Sequence, residues 1–449
     1  MAGVAHRSNQ VPFVDGPILQ IPVVDIKPYA GNPRVHPDAQ IRKIARSIEQ
    51  FGFVLPILVD ADNVVVAGHA RLLAAEWLEL KTVPTLCVSH LTEAQIRAYR
   101  IADNKLAEEA DWDRAKLAIE FDYLVELDSD LDLTLTGFSL PEIDLVIQNE
   151  SEPDEVGEEP PVEVPDDASP SITKRGDLWM LGQHRLLCGD ALCLTDYHRL
   201  LGKRRAQMVF TDPPYNVRIA GNVGGLGATQ HDEFVMASGE MTPEEYTGFL
   251  ATVFENLVAH STDGSLHFVC MDWRHLQEIL AAGKDAYSEL KNFIVWAKTN
   301  AGMGSLYRSQ HELVLLFKYG NAKHINNVEL GCHGRHRSNV WTYPGVNTFR
   351  AGRDEDIAVH PTVKPLAMVA DAILDCSRRG GLILDPFVGS GTTILAAQQT
   401  GRIAYGMDMD AKYVDVAIRR WQTATGEDAV LDGTDQTFTA VAAQRSAAA

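Results

Sequence analysis

Cysteine is scarce, six residues in 449, and no two stand as Cys-x-x-Cys. That excludes the common zinc-ribbon spacing and gives no disulfide framework, so free thiols in a reducing cytoplasm are expected, with no metal. No apolar run approaches the about 18 residues of a membrane helix, so no membrane partner is expected. Met1 to Gln20 lacks the basic start and apolar core of a secretory leader. No repeat of fixed period occurs. Cations are in deficit too: 40 Lys and Arg face 61 Asp and Glu, for a formal charge of −21. Such a balance argues against a polyanionic partner, but the deficit is local. Residues 103–167 hold 22 acidic and three basic residues, which leaves the rest of the chain nearly neutral. A composition of 45% apolar and 22% charged residues excludes a largely disordered chain.

The length suggests two domains. Residues 1–20 are expected to be disordered and 21–110 to form a compact α/β module. Strands are read at Ile21–Ile26, Ile57–Val59 and Val64–Ala67, and helices at Ala39–Phe51, Gly68–Leu80 and Ala94–Leu106. Residues 111–148 read as acidic helix. Residues 149–172 read as an acidic, Pro-rich disordered linker. From 173 to 425 strands and helices alternate, as in a mostly parallel sheet covered by helices on both faces. Residues 426–449 read as a tail.

Two motifs in the second half carry chemistry. An apolar strand runs into Asp212-Pro213-Pro214-Tyr215. Two prolines remove two N–H donors, so the strand end offers acceptors, the Asp212 carboxylate and local carbonyls. Acceptors suit an exocyclic amine, whose delocalised lone pair attacks only when its hydrogens are held. Tyr215 offers a face for stacking. The second motif is Gly381 to Thr393, a buried strand ending at Asp385, a loop with Phe387, Gly389, Ser390 and Gly391, and a helix from Thr392. The glycines admit ligand atoms close to the backbone, and the helix start attracts a carboxylate. The next strand ends at Asp408, about where nucleotide-binding folds place a ribose-binding acid. No lysine follows as in a phosphate-binding P-loop. A dinucleotide enzyme competes on this element alone, but the catalytic-looking element precedes the glycine loop. The segment His360-Pro-Thr362-Val-Lys364-Pro365 precedes a helix and offers Thr362 and Lys364 to a ligand carboxylate.

In this order the three motifs resemble the β group of DNA amino-methyltransferases, over about Gly176 to Thr423. Lesser matches are His184 to Asp190, Trp296 to Asn300, His311-Glu312 and Tyr413. The resemblance implies a Rossmann-like methyltransferase domain that uses S-adenosylmethionine. Asp212, Pro213, Pro214 and Tyr215 would hold a flipped base. Asp190, Thr362, Lys364, Asp385, Phe387, Gly389, Ser390, Gly391, Thr392 and Asp408 would surround the cofactor. The implied reaction is methylation of the N6 amine of adenine in duplex DNA; the N4 amine of cytosine is the alternative. No Pro-Cys dipeptide for carbon-5 chemistry occurs. The basic residues of 217–355, among them Arg218, Arg308, Arg335, Arg337, Arg350 and Arg353, suggest a target-recognition insert.

Asn32-Pro-Arg34, Ser47 to Gly52 and Gly68-His69-Ala-Arg71-Leu-Leu-Ala74 resemble a ParB/sulfiredoxin-like domain. Gly68 stands where a strand meets a helix start, with Arg71 on the first turn, a phosphate-binding geometry. Arg34, Gly68, His69 and Arg71 are the expected DNA or phosphate contacts. No helix-turn-helix is read after this module. A ParB-like regulator with an adaptor methyltransferase fold is a second alternative. A homodimer and a nucleotide on this module are open partner expectations.

Overall fold

The computed structural model describes residues 16–127, 131–150, 170–216, 239–299, 307–328, 337–344 and 363–447. The chain forms two compact units, Met1–Glu150 and Ser151–Ala449.

The first unit contains β1 (Leu19–Pro22), α1 (Asp38–Phe51), β2 (Ile57–Val59), β3 (Val65–Ala67), α2 (His69–Trp77), β4 (Thr82–Cys87) and α3 (Glu93–Leu106). It ends with α4 (Arg114–Leu127) and α5 (Leu140–Glu150). The sheet order is β1-β4-β2-β3. Strand β4 is central, yet Pro84 within it hides it from a sequence reading, because proline cannot donate to a ladder. Ile57, Val65, Leu72 and Val83 form one core, and Phe121, Leu133, Ile143 and Val146 another. Leu19 and Gln20 are paired strand residues rather than part of a disordered start.

The second unit runs β5 (Leu178–Leu181), β6 (His184–Cys188), α6 (Leu194–Leu201), β7 (Ala206–Thr211), α7 (Pro243–Ala259), β8 (Ser261–Met271), α8 (Leu276–Ala286), β9 (Glu289–Lys298), β10 (His311–Lys318) and β11 (Val340–Tyr343). Then come α9 (Leu366–Cys376), β12 (Leu382–Asp385), α10 (Thr392–Gln399), β13 (Ile403–Asp408), α11 (Ala411–Thr425), β14 (Val430–Leu431) and α12 (Phe438–Ala447). One sheet takes the order β11-β9-β10-β8-β7-β12-β13-β6-β5-β14. Its centre, β8-β7-β12-β13-β6, is parallel throughout, while β10 and β5 run antiparallel to their neighbours. This is the Rossmann-like architecture expected.

Alternation along the strands builds a core on each face. Met208, Phe210 and Ile383 meet α9, α10 and α11 on one face. Val209, Leu382 and Leu384 meet α6 and α7 on the other. From β7 the chain continues to β8 on one side, whereas β12 continues to β13 on the other. The C-terminal ends of β7 and β12 therefore flank the switch point where such sheets form their ligand crevice.

Two expected boundaries change. Residues 426–447 are no tail: β14 pairs with β5, and Phe438 packs edge-on against the buried Trp179 at 5.3 Å. Arg445 pairs with Asp177 at 2.5 Å. Truncating Phe438 to alanine is expected to cost about 3–5 kcal/mol, measurable as a lower denaturation midpoint. Much of the expected insert at 217–355 is also sheet and helix, since α7 through β11 lie within it. Of the basic residues expected there, Arg218, Arg335, Arg350 and Arg353 lie outside the described residues.

Candidate active site

Strand β7 ends at Thr211 and delivers Asp212 to the switch point. The Thr211 hydroxyl donates to Asp385 Oδ1 at 2.8 Å, so the ends of β7 and β12 are stitched together. Asp385 also accepts from the Thr393 hydroxyl at 2.6 Å and the Phe387 amide at 3.1 Å. Burial pushes its carboxyl up to about 6, against those three donors. Its lone pairs are largely spent on protein, so Asp385 braces the loop.

The loop that follows is shaped by its glycines. Gly391 has φ +89°, and a Cβ there would come within 2.9 Å of Ala417. Gly389 has φ +51°, and among the described residues a Cβ there would meet no atom within 4 Å, which leaves space above it for a ligand. No side chain caps the start of α10, whose N-cap is Gly391. The buried Arg420 donates to the Ser390 carbonyl at 2.7 Å and hydroxyl at 3.0 Å. Sequence reading missed Arg420, since an arginine on an amphipathic helix looks like surface.

Asp408 ends β13. It accepts the Gly389 amide at 3.0 Å and the Asp410 amide at 2.9 Å. Burial pushes its carboxyl up to about 7, although both amides pull the other way. The Gly189 amide donates to the Asp408 carbonyl, which brings the turn at Asp190 alongside. Open space over a glycine, an uncapped helix start and a half-buried acid fit a ligand carrying a carboxylate and hydroxyls. Hydroxyl donors would lower the Asp408 pKa, so binding should release a proton and tighten as pH rises from about 6 to 8. Asp408→Asn should bind such a cofactor about 10- to 100-fold more weakly and lose that pH dependence in calorimetry.

Lys364 is placed in the catalytic cluster. It forms ion pairs with Asp212 and, at 3.2 Å, with Glu312 Oε2. The Tyr215 hydroxyl lies 2.6 Å from Asp212 Oδ1 and 3.2 Å from Glu312 Oε2. Lys298 holds the other Glu312 oxygen at 2.5 Å. Burial raises the Asp212 pKa and the Glu312 charge adds to this, while Lys364 opposes. Burial also disfavours a charged Glu312, but Lys364 and Lys298 outweigh it and hold that carboxyl at about 2. Lys364 stays protonated: burial opposes its charge, and Asp212 and Glu312 more than compensate.

Behind the motif, the Tyr246 hydroxyl donates to the Pro214 carbonyl at 2.7 Å. Asn216, at φ +52°, accepts the Gly239 and Met241 amides at 3.0 and 3.2 Å. Thr362 lies outside the described residues. Arg337, expected to be a recognition cation, is bound instead to Asp371, Asp375 and Tyr343.

In the first unit, Gly68 caps α2 at φ +101° with no side-chain cap. His69 Nε2 is a buried nitrogen with no hydrogen-bond partner among the described residues. Both arginines expected at this site make protein contacts. Arg71 donates to the Leu55 and Pro56 carbonyls at 2.9 and 3.1 Å. Arg34 donates to the Asn104 carbonyl at 3.3 Å and pairs with Glu108 at 2.9 Å.

A doubly wound sheet with a glycine loop and an acidic, aromatic motif at its switch point is the Rossmann-like architecture that the methyltransferase resemblance implies. The DNA methylase family profile matches residues 206–419. The ParB N-terminal domain matches 7–104, and a ParB-methyltransferase helix-turn-helix domain matches 115–175. The chain thus carries an N6/N4-type DNA methylase domain together with ParB-type N-terminal and helix-turn-helix domains.

Type II methyltransferase M2.DpnII of Streptococcus pneumoniae is 29% identical over 244 residues, 50% of this chain and 87% of its own length. ParB-like nuclease domain-containing protein YnaK of Escherichia coli (strain K12) is 40% identical over 78 residues, 17% of this chain and 90% of its own. Type II methyltransferase M.ScaI of Streptomyces caespitosus is 35% identical over 103 residues, 23% of this chain, and that match spans 34% of the relative. The helix-turn-helix match corrects the sequence reading, in which acidic composition concealed the motif. Helices α4 and α5 lie in this region and share the core around Phe121 and Ile143.

Proposed function

We propose that the protein methylates the exocyclic N6 amine of an adenine flipped out of duplex DNA, with S-adenosylmethionine as donor. The observation that carries this reading is the Thr211–Asp385 bond, which sets the Asp212 motif beside the glycine loop. Asp408 would take ribose hydroxyls, and the loop from Phe387 to Thr392 would line the cofactor. When bound, the cofactor supplies an electrophilic methyl group on a sulfonium.

The chain's own residues do the rest. Asp212 accepts one amine hydrogen. A backbone carbonyl of the Asp212–Tyr215 turn would accept the other, and the Tyr246 hydroxyl steadies that turn through the Pro214 carbonyl. Tyr215 stacks against the base. Holding both hydrogens turns the amine lone pair toward the methyl group, and orientation of this kind is worth roughly 7–11 kcal/mol. Asp212, with its raised pKa, is the base that can take the proton the methylated amine must lose. The aspartate at position 212 favours adenine over cytosine.

The N-terminal module reads as an accessory phosphate-binding domain for DNA or a nucleotide. Support comes from the uncapped α2 start and His69, while Arg34 and Arg71 would have to give up protein contacts.

Sequencing DNA from a methylation-deficient host that expresses the chain tests the proposal. Methyladenine in one short motif supports it. N4-methylcytosine keeps the mechanism and changes the base. No new mark, with the cofactor still bound in vitro, rejects it.

A further inference from the structure

The residue expected to receive the target amine is already engaged. Asp212 Oδ1 lies 2.6 Å from the Tyr215 hydroxyl, and Oδ2 is paired with Lys364. An incoming amine must compete with both donors. Each donor has a second acceptor within reach, and it is the same atom: Glu312 Oε2, 3.2 Å from Tyr215 and 3.2 Å from Lys364. Asp212, Tyr215, Glu312 and Lys364 thus close a hydrogen-bonded ring. Glu312 comes from β10 and Lys298 from β9, and the paired strands hold them together outside the ring. Lys298 also lies over the buried Trp296 ring at 4.7 Å, which fixes its position.

We propose that Glu312 is a positioning residue, the acceptor to which Tyr215 and Lys364 transfer their hydrogen bonds when a target amine takes Asp212. The inference rests on the amine-methylation reading above. Lys364 is only 6% exposed, so releasing it from Asp212 with no second anion would strand a buried ammonium. Glu312 removes that penalty, and Lys298 keeps Glu312 charged and in place through the exchange. The exchange moves hydrogen bonds only; no covalent bond forms or breaks, and each proton stays on its donor. The shorter Tyr215 contact with Asp212 than with Glu312 describes the ring before the amine arrives.

The test is Glu312→Gln in the full-length protein, which keeps the shape and removes the charge. Single-turnover methyl transfer should slow by about 10- to 100-fold, with cofactor affinity within twofold of wild type. The acid limb of its pH–rate profile should move to lower pH, because Asp212 keeps Lys364 and loses the neighbouring Glu312 charge. Glu312→Asp, which retains the charge, should recover part of the rate. A wild-type rate and pH profile in Glu312→Gln would overturn the proposal. If that variant does not fold, Lys298→Met replaces it: a slowed transfer step with unchanged cofactor affinity supports the exchange, and a wild-type rate overturns it. Absence of amine methylation by the wild-type protein would defeat the underlying reading instead.

Discussion

Asp212→Ala should lower the methyl-transfer rate by about 10³-fold, the upper range for removing one preorganised polar group from a reacting centre. Cofactor affinity should stay within twofold, because among the described residues Asp408 is bonded to the Gly389 amide and the Asp212 side chain to Tyr215 and Lys364, two separate sets. Alanine removes the proposed acceptor for the amine, while Lys364 keeps its ion pair with Glu312. Single-turnover assays with radiolabelled donor, beside calorimetry of the cofactor, separate the two effects. Normal turnover by this variant would remove Asp212 from the mechanism.

Lys364→Met should do most damage to stability, about 3–5 kcal/mol near pH 8, the cost of breaking a buried ion pair from one side. Among the described residues, Lys298 is then the cation beside the two carboxylates, and its ion pair is with Glu312. Asp212, already raised by burial and by Glu312, would rise further. A carboxyl whose folded pKa exceeds its unfolded value near 3.9 binds more protons when folded. Stability therefore falls as pH rises through that window. The wild type carries an opposing contribution. Glu312 is depressed to about 2, so its stabilisation is present above the unfolded value and is lost as pH falls toward 2. Thermal melts of both proteins at pH 5.5 and pH 8 should show the gap narrowing at the lower pH. An equal gap at both would mean that methionine disturbs packing and not charge.

The parts legible in the sequence are those whose chemistry is local. Asp212 to Tyr215 and Asp385 to Thr392 each lie on one short stretch, and a strand before a glycine loop needs no distant partner to be recognised. The parts that stayed hidden depend on residues far apart in the chain. Nothing near Lys364 shows that it meets Asp212, and nothing near Arg420 shows that it holds Ser390. The last 24 residues misled for a different reason. Gly426, Gly433 and a run of small side chains look like an unstructured end, but Phe438 and Val441 are enough to dock α12. Likewise the acidic surface of α4 and α5 masked their shared apolar core.

The stitch between Thr211 and Asp385 spans 174 residues of sequence. On a ribosome adding about 5–20 residues per second, the first partner waits roughly 10–35 s for the second. Until then β7 has no neighbour on its β12 side and the glycine loop has not been made. A nascent or prematurely terminated chain can present the Asp212 motif, but it has no place to hold a methyl donor against it. On the proposed reading, methyl transfer therefore waits until the β12 segment has been made and paired with β7.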